Sequence, residues 1–177
     1  MKKLGVVLSL LVGVAGCGMH PSPEAGGTDT ELEAEEDMEA VPSVESSQEI
    51  RLVQSDGWTF FTRYTYYPST RRLQGYWSTR GPGGNSTKDA EQQLTAEGAL
   101  DLEARLNGIR RDAVRPQGEC WYDVPTLSLE YLDASGQTRE YLTSTETNNC
   151  DTRRSFVRED DARAAFDTCQ ALLPMPE

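Results

Sequence analysis

Histidine is nearly absent from this sequence of 177 residues, in which His20 is the only one. A folded-domain imidazole is therefore excluded, and with it every serine-histidine or cysteine-histidine nucleophile. Basic residues are also scarce, because 17 Lys and Arg stand against 29 Asp and Glu, a net charge of -12. Phosphate groups bind clustered cations, so this charge argues against a nucleic-acid partner. We expect neither a metal site nor a cofactor.

Long hydrophobic runs are also lacking, apart from one near the amino terminus. Residues 4–16 carry no charge and follow two lysines, Lys2 and Lys3. A helix that crosses a bilayer needs about 20 apolar residues, so this run is too short to span one. A positive start followed by a short apolar stretch is typical of a signal peptide. We therefore predict a signal peptide over residues 1–16.

The apolar run ends in Val14-Ala15-Gly16-Cys17, which resembles the lipobox of bacterial lipoproteins. The resemblance implies cleavage before Cys17, lipidation of Cys17 and attachment to a membrane through this lipid anchor. Gly18 stands where an aspartate marks inner-membrane retention in that family, which favours the outer membrane. We expect a lipid-anchored protein of the bacterial cell envelope. The alternative is an ordinary secretory signal with an incidental cysteine.

Acidic residues dominate residues 17–50, where ten Asp and Glu occur without a single Lys or Arg. The rest of this segment is rich in Gly, Pro and Ser and poor in large apolar residues. Such a chain cannot bury enough surface to offset the entropy lost on ordering. All 14 aromatic residues follow, from Trp58 onward. We predict a disordered acidic tether over residues 17–50 and a single folded domain over residues 51–177.

Alternating aromatic, β-branched and polar residues predict strands in this domain at residues 58–67, 73–79, 127–131 and 138–145, with a short one at 88–93. One predicted helix has Thr95 as its N-cap, and a second opens at Glu159. Residues 81–85 are expected to form a flexible loop. The pattern predicts an α+β fold, an antiparallel sheet of four to five strands with two helices packed on one face, in the order ββ(β)αββα.

Three parts of this pattern, the helix start Leu94-Thr95-Ala96-Glu97, the hairpin over residues 127–145 and the closing helix, loosely resemble emfourin-type inhibitors of thermolysin-like metalloproteases. The resemblance implies a shared fold and an inhibitory function. It assigns no binding residue. The lipobox and the cysteines of the domain depart from that family's pattern.

The first predicted hairpin combines aromatic residues with arginines. If the helices cover one face of the sheet, the other face exposes Tyr67 and Tyr76 beside Arg63, a composition typical of interaction hot spots. The alternative is that these rings fill the core. We expect a small non-catalytic binding or inhibitory module with a protein or envelope partner.

A carboxylate-dependent hydrolase is the enzymatic alternative, because glycoside hydrolysis needs two carboxyl groups at a set separation. The candidate acids lie in predicted turns or at strand ends, where acidic residues normally meet solvent: Asp56, Glu119, Asp123, Glu130, Asp133 and Asp151. No catalytic residue is assigned.

Three cysteines remain once Cys17 is lipidated: Cys120, Cys150 and Cys169. With the second hairpin turning near residue 135, the numbers of opposite residues sum to about 270. Cys120 and Cys150 then leave the same end of the sheet, within reach of a disulfide. We predict that bridge, with Cys150 to Cys169 as the alternative. Cys169 otherwise lies on the apolar stripe of the last helix.

Overall fold

The computed structural model describes residues 40–112, 126–143 and 155–177. Within these ranges the chain forms seven strands and two helices: β1 Ser47–Ser55, β2 Phe60–Tyr67, β3 Arg72–Gly81, β4 Gly84–Gln93, α1 Ala96–Asn107, β5 Thr126–Asp133, β6 Thr138–Thr143, β7 Ser155–Val157 and α2 Glu159–Leu172. None of these helices is long and apolar enough to cross a membrane.

The strands form one sheet in the order β4-β3-β2-β1-β5-β6-β7. Neighbouring strands are antiparallel except β6 and β7, which run parallel. The predicted α+β class is confirmed. The predicted four to five antiparallel strands and the order ββ(β)αββα are wrong in detail, because β1 and β7 were missed and the sheet is mixed. β7 has only three residues, too few for an alternating pattern to mark it in the sequence.

β1 is the central strand, paired with β2 on one side and with β5 on the other. Its Ile50 and Leu52 are fully buried and alternate with partly exposed residues. The boundary predicted at residue 50 therefore falls inside β1. Before the strand, Val44 is buried and its backbone N–H donates a hydrogen bond to Oδ1 of Asn107, at 2.9 Å. The structure thus begins the folded domain earlier than the charge pattern indicates.

The first two predicted strands correspond to β2 and β3, and the short third prediction covers only part of β4. The flexible loop predicted over residues 81–85 is instead a tight turn, because Gly81 pairs directly with Gly84 across it. Gly84 has φ of +108°, a conformation that favours glycine. Only Pro82 and Gly83 lie between the two strands, so this hairpin holds its strands in register.

Both helices pack on the same face of the sheet. The side-chain oxygen of Thr95 accepts a hydrogen bond from the backbone N–H of Gly98, which confirms Thr95 as the N-cap of α1. Each helix buries one face against the sheet, and the two faces share one core with it. The buried residues are Ala99, Leu102 and Leu106 from α1, and Ala162, Ala165, Phe166 and Cys169 from α2.

Two tyrosines of β2 connect the sheet to these helices. The Tyr64 ring meets Phe166 edge-on at 5.3 Å, and the Tyr66 hydroxyl donates to Oε1 of Glu103 at 2.6 Å. Burial raises the pKa of Tyr64 to about 12. Since side chains alternate across a strand, the residues of β2 that alternate with these tyrosines face away from the helices.

The second hairpin has the predicted register, because Leu129 lies opposite Tyr141 and the other β5–β6 pairs follow from it. Cys169 is a fully buried free thiol. Other predictions lie outside the described residues: the signal peptide, the lipidation of Cys17, most of the acidic tether, and the bridge between Cys120 and Cys150.

Candidate binding face

The sheet face opposite α1 and α2, which we call the open face, carries the three residues predicted to form a binding surface. Arg63, Tyr67 and Tyr76 all lie on it and are each partly exposed. No helix in the described ranges packs on this face. The arginine and the aromatic rings are therefore available at the surface rather than absorbed into the core.

Arg63 and Tyr76 lie directly opposite each other on β2 and β3. The Arg63 guanidinium carbon is 5.5 Å from the centroid of the Tyr76 ring, a cation–π contact. Phe61 meets the same ring edge-on, with centroids 6.0 Å apart and planes at 68°. The sequence-based prediction left out Phe61, although its spacing of two residues from Arg63 indicates the same face.

Tyr67 forms a second pair rather than joining the first. Its neighbour is Arg72, whose guanidinium carbon lies 4.3 Å from the Tyr67 ring centroid, and its hydroxyl donates to Oε1 of Gln74 at 3.2 Å. Tyr67 is four residues beyond Arg63 on β2, about 13 Å along the strand. Arg72 was not predicted as a site residue, and the turn between β2 and β3 is what places it opposite Tyr67.

Trp58 adds an exposed indole at one end of this face. The strand predicted over residues 58–67 puts Trp58 on the same face as the buried Tyr64, but the structure leaves it outside β2 with 62% of its surface exposed. A shallow pocket of about 190 Å³ lies between Trp58, Phe61 and Arg80. The missed signal is Asp56-Gly57, a dipeptide typical of hairpin turns, which ends β1 before the indole.

The turn that carries Trp58 is held by the Asp56 carboxylate. Its Oδ1 accepts hydrogen bonds from the backbone N–H groups of Phe60, Trp58 and Thr59, at 2.9, 3.0 and 2.7 Å. The hydrogen bond from the Phe60 N–H has the largest effect, and together these bonds hold the pKa of Asp56 well below its usual range. The charged carboxylate thus fixes the backbone on which the indole is presented.

Charged side chains flank the aromatic centre on both sides. Towards β5, Arg51 pairs with Glu49 and, at 3.0 Å, with Glu130. Towards β4, Arg72 lies 3.7 Å from Glu91. A shallow pocket of about 220 Å³ lies between the aromatic centre and the β4 edge of this face. The side chains that line it include Arg63, Thr65, Gln74, Tyr76, Asp89 and Glu91. An aromatic and arginine centre with a polar rim is the usual anatomy of a protein interface.

No protein-family model, curated protein or solved structure matches this chain. Across residues 40–112, 126–143 and 155–177, no three histidine, cysteine or acidic side chains converge as a metal site would require. The open face is therefore the surface from which a function can be argued.

Proposed function

We propose that this protein is a lipid-anchored envelope protein whose folded domain is a small non-catalytic binding or inhibitory module. The open face is its contact surface, and another protein is its partner. The observation that carries the proposal is the pairing of Arg63 with Tyr76 on a sheet face that α1 and α2 do not cover.

The chemistry of this face supports a protein partner. Arginine, tyrosine and tryptophan dominate the residues that contribute most to protein association. Here the arginines and tyrosines lie along two adjacent strands, and Trp58 lies at one end of them. The Arg63–Tyr76 pair, the Arg72–Tyr67 pair and Trp58 together offer planar surfaces and cations that need no large rearrangement to make contact.

The proposed location in the cell envelope rests on the lipobox-like sequence that ends at Cys17. Acyl chains on Cys17 hold a chain at a membrane through about 0.8 kcal/mol per buried CH₂ group. An acidic segment then separates Cys17 from the folded domain, and a flexible chain of its length spans roughly 30 Å. The folded domain would thus be held clear of the lipid headgroups, where a partner can reach it.

The test is crosslinking of the full-length protein in its own envelope, comparing the wild type with the double variant Arg63→Ala, Tyr76→Ala. Leu100→Ala is the matched control, because Leu100 is 66% exposed on α1, away from the open face. We expect a partner that crosslinks to the wild type and to the control but at least tenfold less to the double variant. A partner retained equally by all three would refute the open face as the contact surface.

The two alternatives have separate outcomes. Inhibition of a thermolysin-type protease by the wild-type protein would make the partner a protease, in line with the emfourin resemblance. Turnover of an ester, glycoside or peptide that a single carboxylate substitution abolishes would replace the binding module with a hydrolase.

A further inference from the structure

β4 forms one border of the sheet. Its ten residues pair with β3 in an unbroken register, from Arg72 opposite Gln93 to Gly81 opposite Gly84. No described residue pairs with its other edge. Natural sheets usually protect such an edge by a short strand, a bulge, a proline or charged side chains. β4 lacks the first three, because it is long, regular and free of proline, but it does carry charged side chains.

The register determines which backbone groups point outward. The backbone N–H of Leu94 donates to the carbonyl of Arg71 at 2.9 Å, which identifies this opposite pair as a hydrogen-bonded one. Such pairs alternate along an antiparallel ladder, so Ala90 hydrogen-bonds towards β3 and Asp89 does not. The residues that direct their N–H and C=O groups away from the sheet are Asn85, Thr87, Asp89, Glu91 and Gln93.

These outward residues also place their side chains on the open face, because Asp89 lies opposite Tyr76. Asp89 is exposed and has no hydrogen-bonded or charged partner among the described residues. Glu91, two residues on, is exposed and accepts a hydrogen bond from Nε2 of Gln74 at 2.6 Å, with Arg72 3.7 Å away. The one lysine of β4, Lys88, is on the other face and donates to the carbonyl of Pro176 at 2.7 Å. A strand added to this edge would therefore meet two carboxylates on the open face.

We propose that β4 accepts an extended segment of another protein as an additional antiparallel strand, with Lys or Arg at alternate positions opposite Asp89 and Glu91. Backbone hydrogen bonds would supply affinity, and the charge pairs would select the register and the partner. A second copy of this chain is a poorer occupant, because two β4 strands paired about Ala90 would set acidic side chains against each other. This inference rests on the proposed binding function and specifies the partner's chemistry.

The probe is a capped nine-residue peptide of alternating threonine and lysine, titrated into the full-length protein. Amide chemical shifts of Thr87, Asp89 and Glu91 report the site, and calorimetry reports the affinity. A lysine that faces Asp89 or Glu91 also directs its own N–H towards β4. N-methylation of the lysines should therefore weaken binding at least tenfold, whereas N-methylation of the threonines, with the same charge, should leave it nearly unchanged. Equal binding of both methylated peptides, or no binding at millimolar peptide, would overturn the proposal.

Proline variants of the protein test the same edge from the other side. Thr87→Pro deletes an outward N–H and leaves the β3 ladder and both carboxylates intact, so it should weaken the peptide at least fivefold without unfolding the protein. Ala90→Pro deletes an inward N–H and should lower the melting temperature instead. Peptide binding that survives Thr87→Pro unchanged would refute the added strand. A protein dimer that Thr87→Pro dissociates would also refute it, in favour of a second copy.

The two proposals can fail separately. Loss of the crosslinked partner in the Arg63→Ala, Tyr76→Ala variant tests the open face whether or not the peptide binds. Peptide binding that depends on the lysine N–H groups tests the β4 edge whether or not a crosslinked partner is found.

Discussion

Trp77 lays its indole ring over Gly75, two residues earlier on β3. A Cβ atom on Gly75 would lie only 2.7 Å from Cζ2 of Trp77. Gly75 is buried opposite Tyr64, whose ring meets the indole edge-on at 5.7 Å. The space that a side chain would fill at position 75 is thus occupied by tryptophan, and glycine is needed there for close packing rather than for its backbone freedom.

Gly75→Ala should therefore destabilise the protein by about 1–3 kcal/mol, because the indole must move within a packed core. The measurement is urea unfolding followed by tryptophan fluorescence. Gly83→Ala is the matched control, since a Cβ atom at Gly83 has no neighbour within 4 Å. Equal stability of the two variants would show that the indole can shift freely.

Asp161 connects the first turn of α2 to the segment that follows α1. Its carboxylate accepts two side-chain hydrogen bonds from Arg110, at 2.8 and 2.9 Å, and one from the Arg110 backbone N–H at 3.2 Å. The guanidinium hydrogen bonds lower the pKa of Asp161. Stability from a lowered carboxyl pKa is present above the unfolded value, near pH 4, and is lost as the pH falls through the folded value.

We expect Asp161→Asn to cost roughly 1 kcal/mol at pH 7, a value limited by the exposure of Arg110. The difference from the wild type should shrink below about pH 4. Thermal unfolding between pH 2.5 and 7 measures both effects. Asp101→Asn serves as control, because Asp101 and Arg105 are exposed and 3.8 Å apart. A deficit that stays constant with pH would exclude the carboxylate charge as its cause.

The helices and the second hairpin could be predicted because local residues determine them. Thr95 caps α1 within a single turn, and the β5–β6 register follows from one short turn. β1 could not be found in this way. Its Ile50 and Leu52 follow an acidic segment, and their burial depends on β2 and β5, which arrive later in the chain.

Part of the candidate site could be predicted because strand alternation and the turn register are also determined locally. Alternation along β2 placed Arg63 and Tyr67 on one face, and the turn register brought Tyr76 opposite Arg63. The extent of β4 could not be predicted, because its polar sequence has one β-branched residue, Thr87, and none of the large apolar residues that mark strands. Backbone pairing with β3 creates this strand, and that contact is not encoded in its own composition.

Cys169 should be unreactive in the native protein. It is fully buried in α2, and burial raises the pKa of its thiol, so the reactive thiolate is scarce. Alkylation followed by mass spectrometry should label Cys169 only after unfolding in urea. Cys169→Ser should also destabilise the protein more than Cys169→Ala, because a buried hydroxyl without a partner costs about 1–3 kcal/mol. Rapid labelling of the folded protein would contradict this burial.

The bridge between Cys120 and Cys150 stays a prediction. Closing a loop of about 31 residues would stabilise the domain by some 3–4 kcal/mol on the chain-entropy model. Peptide mapping without reductant should recover Cys120 linked to Cys150, with Cys169 free. A linked pair that contains Cys169, together with a free Cys120, would favour the alternative.

Cys17→Ala should abolish lipidation and move the protein out of the membrane fraction, because the lipidated cysteine is the predicted anchor. Membrane fractionation and metabolic labelling with a fatty acid measure the two effects. Ser9→Ala, inside the apolar run, provides a control that keeps the cysteine. Fatty-acid labelling that persists in Cys17→Ala would refute lipidation at this residue.

The central position of β1 has a consequence for how the protein folds. β1 to β4 form a continuous meander. The other edge of β1 pairs with β5, in which Tyr131 lies opposite Ile50, about 80 positions earlier in the chain. Such distant pairing makes folding slow, because the long intervening chain must first be closed. A chain in which β5 has not yet paired therefore exposes the free edge of its central strand. Susceptibility to aggregation should persist until β5 has paired with β1.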